Sequence, residues 1–121
     1  MTIPSALLWI VTKLCRWAGI RYLRTVTATS ECLASPGEWQ VYDIVYTAPR
    51  FKDGKVEVPG YVTIFHNGVI TQNHTEILGA TGHRVLPKVV VHGPKGPIRL
   101  QDHGDPIRFR NIWIRPLGEV K

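Results

Sequence analysis

The stretch Gly96-Pro-Ile-Arg-Leu-Gln-Asp-His-Gly-Asp-Pro-Ile-Arg-Phe-Arg-Asn-Ile-Trp-Ile-Arg-Pro116 decides the fold that this sequence predicts. Ile98 and Leu100 alternate with polar neighbours, which is the period of a strand with two different faces. The segment 104–106 (Gly-Asp-Pro) has the composition of a tight turn. Residues 107–114 are again rich in β-branched and aromatic side chains. We therefore predict a β-hairpin that turns at residues 104–106.

This hairpin would gather a group of polar side chains near its turn: Gln101, Asp102, His103, Arg108, Arg110 and Asn111. Two interpretations are open from the residues alone. Charged side chains at the end of a hairpin often only pair with each other, and such exposed pairs stabilise a fold by less than about 1 kcal/mol. The alternative is a functional site.

Composition extends the β prediction to the rest of the chain. With 121 residues, 13.6 kDa and 44% hydrophobic residues, the chain is one domain with a modest core. Nine prolines and eleven glycines divide it into short segments. Short strands separated by turn residues are typical of an all-β sandwich or barrel.

The net charge of +6 raises the question of a nucleic-acid partner. Arg and Lys are scattered through the sequence and do not form a basic stripe with interleaved aromatic residues. We therefore expect no nucleic-acid partner, and we attribute the charge mainly to solubility and non-specific association.

The first 35 residues have a different pattern. An apolar run, Ser5-Ala-Leu-Leu-Trp-Ile-Val11, is followed by Lys13, Arg16, Arg21 and Arg24. This order is the reverse of a secretory signal, and the run is too short for a membrane span, so we expect no stable membrane insertion. A short amphipathic helix within residues 4–24 and a basic helix on a membrane surface are both open interpretations. Cys15 and Cys32 fit either a disulfide or free thiols.

The middle of the chain predicts three strands. Glu38–Thr47 is apolar on both faces, as in an inner strand of a sandwich, and Trp39 fits a core position better than a sugar platform. Tyr61–Phe65 and Val69–Gln72 flank Asn67-Gly68, a strong type I′ hairpin signal. His66 beside this turn is expected to be a solvated turn residue. Residues 48–60 are predicted to be a loop, and Val89–Val91 a short strand.

Metal-binding patterns are absent from the sequence. Five histidines and two cysteines show no known ligand spacing. We therefore expect no metal and no other cofactor.

Three separated motifs carry a family resemblance: Pro36–Ile44 with Thr47–Phe51, then His66–Val69, then Leu100–Pro116. In this order they resemble the 3-keto-disaccharide hydrolase domain family over about residues 36–117, which leaves 118–121 as a tail. The resemblance implies a concanavalin A-like jelly roll, a bacterial host and a periplasmic or secreted location. In such a host the sequon Asn73-His-Thr75 carries no meaning. Because residues 1–35 do not share the resemblance, we expect an incomplete sandwich and an N-terminal segment that arises from a shifted reading frame or a late start.

The resemblance also implies substrates that are glycosides oxidised at carbon 3. A ketone there acidifies the hydrogen on carbon 2, so the leaving group on carbon 1 can depart by elimination before water adds. This route needs a base, an enolate-stabilising group and an acid. We assign catalytic roles to His103, Asp102 and Arg110. We assign substrate contacts to Gln101, Arg108, Asn111 and His66.

Two other functional classes stay open. The same scaffold serves non-catalytic carbohydrate-binding modules, and a chain without half of the sandwich could be an inactive fragment. Turnover of a 3-keto-glycoside, as opposed to binding without turnover, separates the enzyme from the module. From this chain we expect weak activity or none, together with self-association through uncovered sheet edges.

Overall fold

A computed structural model describes the backbone of residues 5–14, and the backbone and side chains of residues 35, 37–80, 86–100, 104 and 106–118. The principal unit is an antiparallel sheet of five strands: β1 (Ser5–Leu14), β2 (Trp39–Thr47), β5 (Tyr61–His66), β6 (Val69–Glu76) and β7 (Ile107–Pro116). Their order is β6-β5-β2-β1-β7. Two short strands, β3 (Arg50–Lys52) and β4 (Lys55–Val58), form a separate hairpin. The predicted all-β class is confirmed.

Turn chemistry accounts for both tight hairpins. Asn67 and Gly68 have φ values of 49° and 80°, so the predicted type I′ turn between β5 and β6 is confirmed. Asp53 and Gly54, with φ of 51° and 71°, make the equivalent turn between β3 and β4. The prediction of an irregular loop over 48–60 was therefore wrong, because Asp-Gly is itself a hairpin signal.

The apolar run near the N-terminus is a strand. Ser5–Leu14 forms β1, which pairs with β2 on one side and β7 on the other. The predicted helix at these positions is wrong. A short apolar run fits a buried helix and a central strand equally well, and here the two neighbouring strands supply its hydrogen bonds.

The C-terminal strand is confirmed, but its predicted partner is wrong. β7 pairs with β1 along most of its length, and residues 98–100 are not part of any strand. The segment before them contains Pro94, Gly96 and Pro97. Proline has no N–H to donate and glycine weakens a strand. The short alternating run predicted from residue 98 is therefore a poorer pairing partner for β7 than the ten residues of β1. Val89–Val91 is likewise not a strand.

Strand register divides the sheet into two faces. The first, here called the arginine face, carries these positions of β2, β5 and β7: Trp39, Val41, Asp43, Val45, Thr63, Phe65, Arg108, Arg110, Trp113 and Arg115. The second, here called the histidine face, carries these: Gln40, Tyr42, Ile44, Tyr46, Val62, Ile64, His66 and Gln72. The assignment follows because paired residues point to the same side of a sheet and neighbours along a strand to opposite sides.

The buried side chains lie on one of these faces. Among the described residues, Val62, Gln40, His66 and Gln72 are the buried apolar and polar side chains, with 2–7% exposure, and all four belong to the histidine face. On β7 both faces carry exposed side chains, with Trp113 of the arginine face 40% exposed and Ile114 of the histidine face 46% exposed. No helix in the described part of the chain is long and apolar enough to cross a membrane. On the arginine face, the exposed side chains Arg108, Arg110, Trp113 and Arg115 of β7 are accessible to a ligand.

Candidate functional site

Arg110 and Trp39 are in contact on the arginine face. The guanidinium carbon of Arg110 lies 3.9 Å from the centroid of the Trp39 ring, although β1 separates their strands. Arginine over an indole face is held by cation–π attraction and keeps its N–H groups for other partners. Trp39 is half-buried, so it is neither a fully buried core residue nor an open sugar platform. The pair places an oriented, positively charged hydrogen-bond donor at an exposed position of the arginine face.

A bulge at Asn111 decides what else shares this face. Val11 of β1 pairs with Arg110, whereas Trp9, two residues away, pairs with Trp113, so β7 contains one extra residue between them. Asn111 has φ of 51°, a conformation that asparagine tolerates well. Strict alternation would have put Ile112 and Ile114 beside the arginines. The bulge puts Trp113 and Arg115 there instead.

Three residues without a predicted role therefore join the predicted arginines: Asp43, Trp113 and Arg115. Asp43 and Trp113 both pair with Trp9 of β1, so they lie level with each other across that strand. Trp113 is exposed and Asp43 is half-buried. The alternation of β2 already placed Asp43 on the side of Trp39. No sequence signal revealed Trp113 and Arg115, because the bulge reverses their side.

Positive charge dominates this part of the sheet. Arg108, Arg110 and Arg115 are exposed, and none of them forms an ion pair with a carboxylate of another described residue. Along β7 they follow one another on the same side of the sheet. Three arginines without described counter-charges favour a ligand that carries or develops negative charge.

His66 lies on the histidine face, where it is buried and packs against other side chains. It is 2% exposed, and its ring stacks on Tyr42 with centroids 4.3 Å apart and planes 14° apart. Its Nε2 donates a hydrogen bond to Gln40 Oε1 at 3.1 Å. Burial lowers the pKa of His66, because desolvation disfavours the charged imidazolium. The expectation of a solvated turn residue was wrong, and this placement gives no support to the predicted substrate contact.

The neighbouring asparagine ties the β5–β6 turn to β2. Asn67 Nδ2 donates to Gln40 Oε1 at 2.8 Å, and Asn67 Oδ1 accepts from the backbone N–H of Val41 at 2.8 Å. The backbone N–H of Asn67 in turn donates to the carbonyl of Val41 at 2.8 Å. The motif His66-Asn-Gly-Val69 thus stabilises the sheet behind the arginine face.

The other predicted site residues divide into two groups. Arg108 and Arg110 lie on the arginine face, and Asn111 occupies the bulge between Arg110 and Trp113. Gln101, Asp102 and His103 lie outside the described residues, so their roles stay predictions. Within the described part of the chain, no group of three or more His, Cys, Asp or Glu residues has the geometry of a metal site.

A concavity lies near the end of β2, away from these residues. It has a volume of about 370 Å³ and a mainly apolar lining that includes Tyr46, Ile77, Val89, Lys88 and His92. Burial raises the pKa of Tyr46. None of the residues predicted for the site contributes to this cleft.

Comparison with known proteins agrees with the β architecture and with the motifs. The model of the 3-keto-alpha-glucoside-1,2-lyase-like domain matches residues 11–115. The chain belongs to this family. The match begins inside β1, and so reaches further toward the N-terminus than the motifs, which begin at Pro36. Among curated proteins, none matches the chain.

A solved relative supports this family assignment. The chain is similar to a protein from Parabacteroides distasonis whose assignment as a glycosyl hydrolase is provisional, with 35% sequence identity and a TM-score of 0.77. The similarity covers 93% of this chain and 64% of that one. The chain thus shares the fold of that protein, and it spans less than two thirds of that protein's length.

Proposed function

We propose that the arginine face acts in cleavage of glycosides oxidised at carbon 3, by elimination across carbons 1 and 2 followed by addition of water. The observation that carries the proposal is the exposed Arg110, whose guanidinium is held over Trp39 on the arginine face of a chain of this family. The family description names a 1,2-lyase acting on a 3-keto-glucoside. Elimination of this kind passes through an enolate, and an oriented guanidinium is suited to stabilise one.

The chemistry assigns each step to a kind of side chain. A base removes the hydrogen from carbon 2, and negative charge develops on the carbon-3 oxygen. Arg110 donates hydrogen bonds to that oxygen, and Arg108, on the same face, holds a neighbouring sugar oxygen. The carbon 1–oxygen bond then breaks, and an acid gives a proton to the departing oxygen. Addition of water to the resulting double bond, with the proton returned to carbon 2, yields the free 3-keto sugar.

Two groups are candidates for the base. The first is His103, with Asp102 beside it in sequence, because histidine is the side chain best suited to transfer protons near neutral pH. Asp43 is the alternative on β2. From strand spacing and rise, its Cα lies roughly 12 Å from that of Arg110, a gap that a sugar ring and the arginine side chain can fill. Variants of these two residues decide between them.

Carbohydrate binding without catalysis is the second candidate function. The observation that favours it is Trp113, a 40% exposed indole on the arginine face, since tryptophan faces stack on sugar rings. A binding module would retain affinity for the keto-sugar and would not activate the carbon 2 hydrogen.

The test follows this hydrogen directly. A 3-keto-glucose analogue without a leaving group is incubated with the full chain in D₂O, and loss of the carbon 2 proton signal is followed by NMR. We expect exchange above the buffer rate, and an Arg110→Gln variant should slow it by about 10²–10³-fold, as expected for loss of one oxyanion donor. His103→Ala or Asp43→Asn, whichever removes the base, should slow it by about 10²–10⁴-fold.

Arg50→Gln is the matched control, because Arg50 is an exposed arginine on β3, outside the five-stranded sheet. It should leave the exchange rate unchanged. Exchange no faster than in buffer, combined with measurable binding of the analogue, would favour the binding module. Equal rates for the wild type and Arg110→Gln would contradict the enolate role.

A further inference from the structure

We infer that the end of β7 beyond the Asn111 bulge forms a second subsite, which binds a leaving group that carries a carboxylate or sulfate. This subsite consists of Trp113 and Arg115 and is here called the Trp113–Arg115 subsite. The inference rests on the proposed function, because it takes the Arg110 region as the position of the reacting sugar.

Register places this subsite in line with the reacting centre. On β1, the positions paired with Arg110, Trp113 and Arg115 are Val11, Trp9 and Leu7, successive residues of one face. From the rise of a strand, Trp113 lies about 7 Å and Arg115 about 13 Å from Arg110 along the sheet. A group attached to carbon 1 of a sugar at Arg110 can therefore extend over Trp113 toward Arg115.

The two side chains have complementary chemistry. Trp113 is 40% exposed and offers an apolar, polarizable surface to a ring. Arg115 is exposed, and no ion pair links it to another described residue. A guanidinium binds a carboxylate or sulfate through two parallel hydrogen bonds, which an uncharged group cannot replace with equal strength.

The surrounding charges favour an anion over a neutral group. Arg108 and Arg110 add positive charge on the same face, and Asp43 is the carboxylate level with Trp113. Among the described side chains, three arginines and one aspartate lie along this line, which leaves net positive charge there. The chain as a whole also carries +6, which raises the local concentration of anionic ligands.

A matched pair of ligands tests the subsite: the 3-keto-glucosides of 4-hydroxybenzoate and of 4-hydroxybenzamide, which have similar shapes and differ in charge. Their dissociation constants are measured with the full chain by titration calorimetry at low salt. We expect the carboxylate compound to bind about five- to tenfold more tightly, as for one partly exposed charge-assisted contact. The preference should largely disappear near 1 M salt, where charges are screened within roughly 3 Å.

Arg115→Gln should abolish the preference, and the matched variant Arg50→Gln, which lowers the net charge equally, should retain it. Equal binding of both ligands, or a preference that persists in Arg115→Gln, would overturn the inference. So would an equal loss in both variants, since net charge alone would then explain it. Charge-dependent binding without turnover of either glucoside would contradict the proposed function and support the subsite. Turnover of both glucosides without a binding preference would support the proposed function and contradict the subsite.

Discussion

His66 and His74 offer a direct measure of what burial contributes to this sheet. Both rings stack on a tyrosine, His66 on Tyr42 at 4.3 Å and His74 on Tyr61 at 4.1 Å, and both stacks are nearly parallel. The first histidine is 2% exposed and the second is on the surface. The same substitution, His→Asn, therefore removes the same ring contact in two different environments.

The expected losses in the free energy of unfolding differ because, of the two histidines, His66 is buried away from solvent and His74 is exposed. His66→Asn removes an aromatic stack worth about 0.5–1.5 kcal/mol and a hydrogen bond to Gln40 of similar worth, and it leaves space in a buried site. We expect a loss of about 2–4 kcal/mol in the free energy of unfolding. His74 has φ of 48°, which asparagine also tolerates, so His74→Asn should cost less than about 1 kcal/mol.

Urea unfolding followed by circular dichroism measures both variants, and pH provides a second readout. The folded-state pKa of His66 is lowered, so the unfolded chain takes up its proton first as the pH falls. This part of the stability is fully present above the unfolded value of about 6.5 and is lost as the pH falls from there toward the lowered folded value. His66→Asn should remove this pH dependence, whereas His74→Asn should retain it. Equal losses of stability in the two variants, or an unchanged pH profile in His66→Asn, would refute the reasoning.

Two further predictions concern packing and assembly. A side-chain carbon at Gly79, where φ is 128°, would overlap the backbone of Lys88, so Gly79→Ala should lower stability by about 2 kcal/mol or more in thermal unfolding. In the control variant Gly96→Ala the added carbon meets nothing within 4 Å, so its effect should be nearly neutral. Similar melting temperatures for the two variants would contradict the observed close approach. In the described sheet β6 and β7 are edge strands, and they carry the exposed residues Ile70, Ile112 and Ile114. We therefore expect self-association that increases with protein concentration, measured by light scattering. A monomer at high concentration would contradict this expectation.

The sequence by itself was sufficient to predict those features that depend only on residues close together in the chain. The Asn67-Gly68 turn and the strands on either side of it follow from residues that favour positive φ and from alternating side chains. The strand β2 follows from its apolar run on both faces. Arg108 and Arg110 share a face because they are two residues apart in a strand, and the motifs identified the family.

The tertiary structure alone decided which strands pair and which side chains meet across them. Nothing local to β7 specifies β1 as its partner, since backbone hydrogen bonds are the same for any strand, and an apolar run like β1 also fits a helix. The bulge at Asn111 reverses the side of Trp113 and Arg115, a change that alternation cannot reveal. His66 resembles an exposed turn residue in sequence, but pairing of β5 with β2 places it against Tyr42 and Gln40. The contact of Arg110 with Trp39 likewise exists only because β1 lies between their strands and brings both onto one face.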